Sequence, residues 1–310
     1  MPKPRVPKKA AEPALEPDFA HAASRFRIGI SGWTYAGWRG VFYPDKLPQK
    51  RELEHSSRLF NAIEINGSFY SLQRPSCYQQ WHERTPPGFI FSVKGSRFIT
   101  HMKKLRDVEI PLANFLASGL LALREKLGPL LWQFPPNLGF HEERFDAFFK
   151  LLPRSTVAAA ELARRHDERL NGRALTETDS EREIRHCVEI RHPSFLTPTF
   201  FQLLQHHRIA FVFADTAGRW PYAEDLTADF AYIRLHGAEE LYASGYNDSA
   251  LDWWAARLRH WVRGDQPSDA RLITPQLKPR RALTDAFVFF DNDAKVQAPF
   301  DAQRLQARLR

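Results

Sequence analysis

The 310-residue sequence predicts an α/β protein whose main domain is a closed (β/α)8 barrel, similar to a TIM barrel. Three observations predict this fold: eight short apolar segments, helix-like stretches between most of them, and the lack of a Gly-x-Gly-x-x-Gly or Walker sequence that would favour an open nucleotide-binding sheet. Segments rich in Ile, Val, Leu and Phe are typical of parallel strands buried on both faces. Eight such strands favour a closed barrel over an open sheet.

The eight predicted strands are spread over the chain from residue 27 to residue 291. They are 27–31, 61–66, 88–94, 128–133, 186–191, 210–215, 230–236 and 286–291. Between them, apolar residues recur at three- and four-residue spacing and predict helices at 142–152, 197–206, 249–262 and 299–309. The second of these opens with Thr197 followed by Pro198, a capping sequence. Pro111 is expected to divide the region 105–126 into two pieces.

Two parts of the chain fall outside this alternation of strands and helices. Residues 1–25 hold several prolines and a basic cluster without periodicity, and are predicted to be a disordered tail. Residues 26–310 are predicted to form the barrel domain. A charged helix and a polar loop at about 157–185 are expected to be an insertion between strands 4 and 5.

The composition disfavours membrane-spanning, secreted and disulfide-rich classes of protein. No apolar run approaches the roughly 18 residues that a membrane-spanning helix needs, and the N-terminal sequence lacks the apolar core of a secretory signal. Two cysteines, Cys77 and Cys187, cannot make a disulfide framework, so a reducing cytoplasmic setting is expected. Cys187 lies inside a predicted strand and is expected to be a small buried residue. The net charge of +8 is compatible with an anionic partner.

Polar side chains are concentrated at the ends of the predicted strands. Because strand side chains alternate between two faces, Ile63 and Ile65 facing outward place Glu64 inside the barrel. The same argument places Asn66, Lys94, Glu189, Arg191, Arg234 and His236 inside, and Gln133 is a further polar residue at the end of its strand. For Asp215 and Asp291 the alternation is ambiguous, because both faces of their strands are apolar. In a barrel, such positions meet at the C-terminal mouth, where active sites of barrel enzymes lie.

These residues, with aromatic residues from the following loops, make the candidate site of an enzyme acting on a small polar or anionic substrate. The candidate catalytic residues are Glu64, Lys94, Glu189, Asp215 and His236. The candidate substrate-binding residues are Trp33, Tyr35, Asn66, Tyr70, Gln133, Arg191, Arg234 and Asp291. The cationic side chains are suited to phosphate or carboxylate. His236 can exchange a proton near neutral pH if Asp215 or Glu189 orients it, while the aromatic rings can exclude water.

Three alternatives remain open at this stage. The acids and bases at the mouth nearly neutralise one another, so they can equally be a structural ion-pair network. Carboxylates and His236 can hold a divalent metal, but the interleaved cations disfavour a metal cage, so no metal ligand is assigned and the cofactor is undetermined. The net charge, basic tail and loop aromatics suggest a nucleic-acid partner instead, although four acids at the mouth would repel a phosphate chain. The sequence leaves the reaction, and the oligomeric state, undetermined.

Seven segments, taken in order, resemble the DUF72 family, a domain of unknown function. They include GISGWTYAGWRGVFYP (29–44), FNAIEINGSFYSL (60–72), LGPLLWQFPP (127–136), CVEIRHPSF (187–195), YIRLHG (232–237) and FVFFDND (287–293), with a further match across 81–101. The resemblance implies a TIM-barrel-like fold and covers the chain from about residue 27 onward. It implies no activity, because the family has no established reaction. The pattern also includes Phe69, His101 and Asp293.

Overall fold

Eight parallel strands form a closed barrel in the computed structural model, which describes residues 25–275 and 283–310. The strands are β1 (Phe26–Ser31), β2 (Ala62–Ile65), β3 (Ile90–Lys94), β4 (Leu127–Gln133), β5 (His186–Glu189), β6 (Ala210–Asp215), β7 (Phe230–Leu235) and β8 (Asp285–Phe290). Each strand pairs with the next in sequence, and β8 pairs with β1. The predicted barrel is confirmed, with strand bounds that differ by at most two residues from those expected.

The helices of the described residues lie between the strands. They are α1 (Glu52–Leu59), α2 (Gly67–Tyr70), α3 (Pro75–Glu83), α4 (Glu109–Ala117), α5 (Glu142–Leu151), α6 (Thr156–Ala163), α7 (Pro198–His206), α8 (Asp248–Arg263) and α9 (Gln297–Leu309). The four predicted helices are confirmed, and the hydroxyl of Thr197 accepts from the backbone N–H of Phe200 as a cap. The expected break at Pro111 is wrong. This proline lies in the first turn of α4, where an N–H has no intrahelical acceptor, and the chain turns at Gly119 instead (φ +116°).

The barrel separates two apolar cores, as the strand alternation predicts. The smaller one fills the inside of the barrel with ten residues: Ala62, Leu131, Cys187, Ala210, Val212, Ala214, Phe230, Tyr232, Phe287 and Phe289. The larger one packs the outer faces of the strands, such as Ile63 and Ile65, against the helices. Cys187 is therefore a buried interior residue, as expected. Because apolar residues fill the inside towards the N-terminal ends of the strands, the charged interior positions are concentrated at the C-terminal ends.

The first and last parts of the barrel are joined directly. Phe26 to Ile30 pair with Ala286 to Phe290, and α9 packs against β1. Residues 1–24, which hold nearly all of the predicted tail, lie outside the described residues. Between β4 and β5 the chain forms α5, α6 and a short helical turn at Glu168–Leu170. Within residues 25–275 and 283–310, every helix is too short or too polar to cross a lipid bilayer.

Candidate active site

Arg234, at the C-terminal end of β7, is the centre of a buried ion-pair cluster. Its Nε and Nη2 donate to the two carboxylate oxygens of Glu64, at 3.1 and 2.8 Å. Its Nη1 donates to Glu189 at 2.7 Å, and Nη2 also donates to Asp291 at 2.9 Å. The remaining N–H of Nη1 points to Nε2 of His236 at 3.3 Å. Arg234 thus joins side chains from β2, β5 and β7 and the end of β8 within the barrel.

This cluster leaves Arg234 and Glu64 without capacity for a substrate. A guanidinium has five N–H donors, and all five of Arg234 are engaged, while both side chains are fully buried. Glu64 also accepts from the hydroxyls of Ser31 (2.9 Å) and Tyr232 (2.6 Å). The structure therefore favours a structural role for this pair over the substrate-binding and catalytic roles expected from the sequence.

Glu189 connects the buried cluster to the more open part of the mouth. One carboxylate oxygen faces Arg234, and the other accepts from Gln133 Nε2 at 2.7 Å and from Arg191 Nε at 3.2 Å. Burial raises the pKa of Glu189, but the charges of Arg234 and Arg191 outweigh burial and hold the pKa well below its usual range. Glu189 is therefore a permanent anion, and the buried Gln133 side chain holds its carboxylate in place.

The carboxylate nearest to the His236 ring is that of Asp291, which differs from the expected partners. Nδ1 of His236 lies 3.0 Å from Oδ2 of Asp291, whereas Nε2 lies 4.0 Å from Glu189. Burial opposes ionisation of Asp291, yet Arg234 and His236 lower its pKa to about 2. His236 is fully buried beneath the ring of Tyr242, at 5.2 Å between centroids, so a role in proton exchange with a substrate is disfavoured.

Lys94 has a different environment from the other charged residues. Its residue surface is 8% exposed, and its Nζ lies 4.4 Å from the centre of the Phe69 ring. Within the described part of the chain, no carboxylate oxygen lies within 4 Å of this ammonium. Burial, reinforced by the charge of Arg234, lowers the pKa of Lys94 from 10.5 to about 8, although Glu64, Glu189 and Asp291 act in the opposite direction. Lys94 is thus a buried ammonium without direct compensation.

Arg191 and His101 lie on the same side of the mouth as Lys94. Arg191 donates from Nε to Glu189 and from Nη2 to the hydroxyl of Tyr242 at 3.3 Å, and its guanidinium stacks on Trp220. The two N–H groups of Nη1 have no acceptor in the described structure. Burial and the charges of Arg191 and Lys94 lower the pKa of His101 to about 4, so its imidazole is neutral near pH 7. This side of the mouth is therefore cationic.

Asp215 lies apart from the cluster. Its carboxylate accepts from the hydroxyl of Tyr246 at 3.0 Å and lines a separate cavity of about 190 Å³ with Trp220, Tyr222 and Trp254. In β6 the interior positions are Val212 and Ala214, so Asp215 belongs to the outer face. The carboxylate of Asp215 is therefore bonded to Tyr246 and not to the His236 ring, although the backbone N–H of His236 donates to the carbonyl of Asp215 at 2.9 Å.

The loop residues expected to bind substrate are distributed around the mouth. Trp33 packs edge-on against Trp81 and lines an open groove towards α1 and α3, away from Arg234. The hydroxyl of Tyr35 donates to the backbone of Ser31, and Tyr70 is 65% exposed. Asn66 is half-buried, and its Oδ1 has no hydrogen-bond partner among the described residues. Of these four, Asn66 offers an unused buried acceptor.

Asp293 is a candidate that the strand-end argument does not predict, because it lies two residues beyond Asp291 in the loop after β8. Burial and the negative charge of Asp291 raise the pKa of Asp293 to about 6. The strand-end argument also misses Phe69, His101, Trp220 and Tyr242, because they lie beyond the strands; the family pattern includes Phe69 and His101 without assigning them a role. A sequence signal for Asp293 existed in the paired acids of the FDND segment.

Replacing Asp293 with asparagine is expected to raise the free energy of unfolding by about 1–2 kcal/mol at pH 7, with little effect at pH 4. A raised carboxyl pKa means that the native state holds the proton more tightly than the unfolded chain. Its stabilising contribution is therefore present below pH 4 and is lost as the pH rises through 6. Urea denaturation between pH 4 and pH 7 measures this, with exposed Asp45→Asn as the control. A pH profile of Asp293→Asn equal to that of the wild type would contradict it.

Across the described ranges, the histidine, cysteine, aspartate and glutamate side chains form no group of three that could hold a metal ion. The cation Arg234 lies between Glu64 and Glu189, two of the residues considered for such a site.

Comparison with known proteins gives a family and a fold. The sequence model described as "Protein of unknown function DUF72" matches residues 27–310. The UPF0759 protein YunF of Bacillus subtilis is 30% identical over 120 residues, which cover 35% of this chain and 39% of YunF. The UPF0759 protein YecE of Escherichia coli is 28% identical over 115 residues, covering 37% and 39%. The chain spans about two fifths of the length of these relatives in the matched segments.

A solved structure extends the fold comparison to nearly the whole chain. A DUF72 family protein from Thermotoga maritima superposes with a TM-score of 0.66 at 24% identity, covering 92% of this chain and 98% of that one. Its barrel architecture agrees with the one described above.

Proposed function

Since the chain belongs to the DUF72 family, whose description assigns no activity, we propose from its own side chains that it is an enzyme acting on a small anionic substrate at the C-terminal mouth of the barrel. The observation that carries this proposal is the ammonium of Lys94, which is 8% exposed and has no carboxylate oxygen within 4 Å among the described residues. A buried charge without a partner costs several kcal/mol in typical proteins, so its retention favours a task. A phosphate or carboxylate would supply the missing negative charge.

Neighbouring residues support the same substrate class. The two free N–H groups of Arg191 Nη1 suit a forked contact with two anionic oxygens. His101 is neutral, so it can exchange hydrogen bonds with a bound anion without adding a further charge. The unpartnered Oδ1 of Asn66 can accept from a substrate hydroxyl. The pKa of Lys94, close to physiological pH, suits it to proton transfer.

Arg234, Glu64 and Gln133 have a supporting role in this proposal. Arg234 holds Glu189 in place, and Glu189 in turn fixes the direction of the Arg191 guanidinium. The ion-pair network and the binding site are thus neighbouring layers: the network is buried inside the barrel, and Lys94 and Arg191 lie above it. In this proposal Lys94 and Arg191 contact the substrate, and the ion-pair network beneath them does not.

Thermal-shift screening tests the proposal. Orthophosphate, small carboxylates and phosphorylated sugars are titrated at constant ionic strength against the wild type, Lys94→Met and the control Lys150→Met, an exposed lysine that pairs with Asp146. We expect a subset of anions to raise Tm in the wild type and in the control, but not in Lys94→Met. Saturation at 100 times Kd stabilises by about 2.7 kcal/mol, a shift of several degrees.

Two results would contradict the proposal. One is a lack of any anion-dependent shift in the wild type. The other is an equal shift in wild type and Lys94→Met, which would place anion binding elsewhere. Oligonucleotides that stabilise the protein with a steep dependence on salt would instead favour the nucleic-acid alternative.

A further inference from the structure

Lys94 and Lys126 are the two buried lysines of the described residues, and they differ in their contacts. The Nζ of Lys126 donates to three oxygens of His82 and Thr85. The Nζ of Lys94 makes no hydrogen bond within the described structure and lies over the face of the Phe69 ring. An amine that is neither hydrogen-bonded nor ion-paired keeps its lone pair accessible once the proton has left.

We propose that Lys94 is a nucleophile that forms an imine with the carbonyl group of a small anionic aldehyde or ketone, such as a 2-oxo acid. The inference rests on the proposed function, since it uses the same mouth and the same anionic substrate class. The placement supports it: Lys94 ends β3, inside the barrel rim, beside a cation that can hold the anionic group while the carbonyl faces Nζ.

The protonation state of the amine supports the same chemistry. An ordinary lysine with a pKa of 10.5 is less than ~0.1% unprotonated at pH 7, whereas a pKa of about 8 leaves roughly a tenth as free amine. Apolar burial and a neighbouring cation are the two ways in which proteins activate lysine amines. Burial, the largest cause, and the charge of Arg234 both lower the pKa of Lys94.

The reaction balances without another reactant. The ammonium first releases a proton, and the nitrogen lone pair then forms a bond to the carbonyl carbon while the C=O π electrons move to oxygen. That oxygen takes up the proton and a second one from the nitrogen, and leaves as water. An ammonium and a carbonyl thus become an iminium and water, with one positive charge before and after. The charge balance of the mouth is therefore unchanged by the adduct.

Arg191 selects the substrate in this scheme. The Phe69 ring contacts both Nζ of Lys94, at 4.4 Å, and the His101 imidazole, at 5.0 Å between centroids. Burial and the charges of Arg191 and Lys94 all lower the pKa of His101. A carbonyl compound with a carboxylate or phosphate can contact the free Nη1 of Arg191 with its anionic group and Nζ of Lys94 with its carbonyl carbon. A neutral aldehyde lacks the first contact.

Reductive trapping tests the imine. The full-length protein is incubated with glyoxylate and cyanoborohydride at pH 7, and the adducts are located by peptide mass spectrometry. We expect Lys94 to be modified at least about 10-fold faster than exposed Lys150, since its free-amine fraction is far larger. The reaction should saturate with glyoxylate, and propanal should label Lys94 more slowly than glyoxylate does.

The outcomes separate this proposal from the one on which it rests. If anions stabilise the wild type through Lys94, yet glyoxylate labels the exposed lysines and not Lys94, the imine is excluded while anion binding stands. If neither stabilisation nor labelling occurs, both proposals fail. Lys94→Arg keeps the charge without a nucleophilic amine, so it should retain anion binding and lose the adduct. Because the adducts are located on the wild-type protein, the imine proposal can be tested even if Lys94→Arg folds poorly.

Discussion

Replacing Arg234 with methionine is expected to lower the free energy of unfolding by about 3–5 kcal/mol. The guanidinium compensates three carboxylates, Glu64, Glu189 and Asp291, at 2.7–3.1 Å in a fully buried position. Methionine fills much of the same volume but leaves these acids facing one another without a cation. Removing one member of a buried ion pair is costly because the remaining charge has lost both water and partner.

Urea denaturation followed by circular dichroism measures this change. Arg51, which forms an exposed pair with Glu54, provides the matched control, and Arg51→Met should leave the unfolding midpoint nearly unchanged. A loss below about 1 kcal/mol in Arg234→Met would mean that water enters the cluster and replaces the guanidinium, so the cluster would be an open site. A large loss would support the structural role assigned to Arg234.

Replacing Lys94 with methionine should act in the opposite direction and raise the free energy of unfolding by roughly 3 kcal/mol at pH 7. Folding lowers the pKa of Lys94 from 10.5 to about 8, so the native state holds the proton less tightly than the unfolded chain does. Below pH 8 both states are protonated and the penalty is fully present. Between pH 8 and 10.5 the unfolded chain alone retains the proton, so the stability of the wild type rises with pH relative to the variant.

The measurement is the difference in unfolding free energy between the two proteins from pH 7 to pH 10. We expect the advantage of Lys94→Met to shrink steadily above pH 8. The variant should also lose anion binding, so stability increases as function is lost, a trade-off that is common at functional sites. A variant less stable than the wild type throughout this range would show that Lys94 is a stabilising ion-pair member and would contradict the proposed function.

The barrel and part of its mouth were predictable because strand alternation carries the necessary information. Glu64 between Ile63 and Ile65, and Arg234 between Ile233 and Leu235, have a single arrangement that buries the apolar residues against the helices. In β6, by contrast, Phe211, Phe213, Val212 and Ala214 are apolar on both faces. No residue of that strand other than Asp215 is polar, so nothing marks its inner side, and the direction of Asp215 could not be derived.

Whether a charged residue belongs to the structural ion-pair network or to the substrate site depends on interatomic distances, and a sequence pattern does not contain these distances. Counting charges suggests a nearly neutral mouth in which every cation has an acid. In the folded protein Arg234 contacts three carboxylates at once, and Lys94 has none within 4 Å. The burial of His236 beneath Tyr242 depends on the loop after β7, whose residues have no period. Sequence analysis identified these side chains but could not show which acids pair with Arg234 and which cations lack a partner.

The pairing of β1 with β8 has a consequence for how the protein is made. Phe26 and Ala286 are neighbours in the barrel but lie 260 positions apart in the chain, and α9 covers β1 only after β8 has been synthesised. During translation β1 therefore has a single strand neighbour, and the growing sheet keeps two open edges with unpaired backbone groups. Such edges pair readily with other chains, and contacts of long sequence separation form slowly. The nascent chain is thus most prone to aggregate in the interval before β8 emerges from the ribosome, and chaperone binding in that interval should govern its yield.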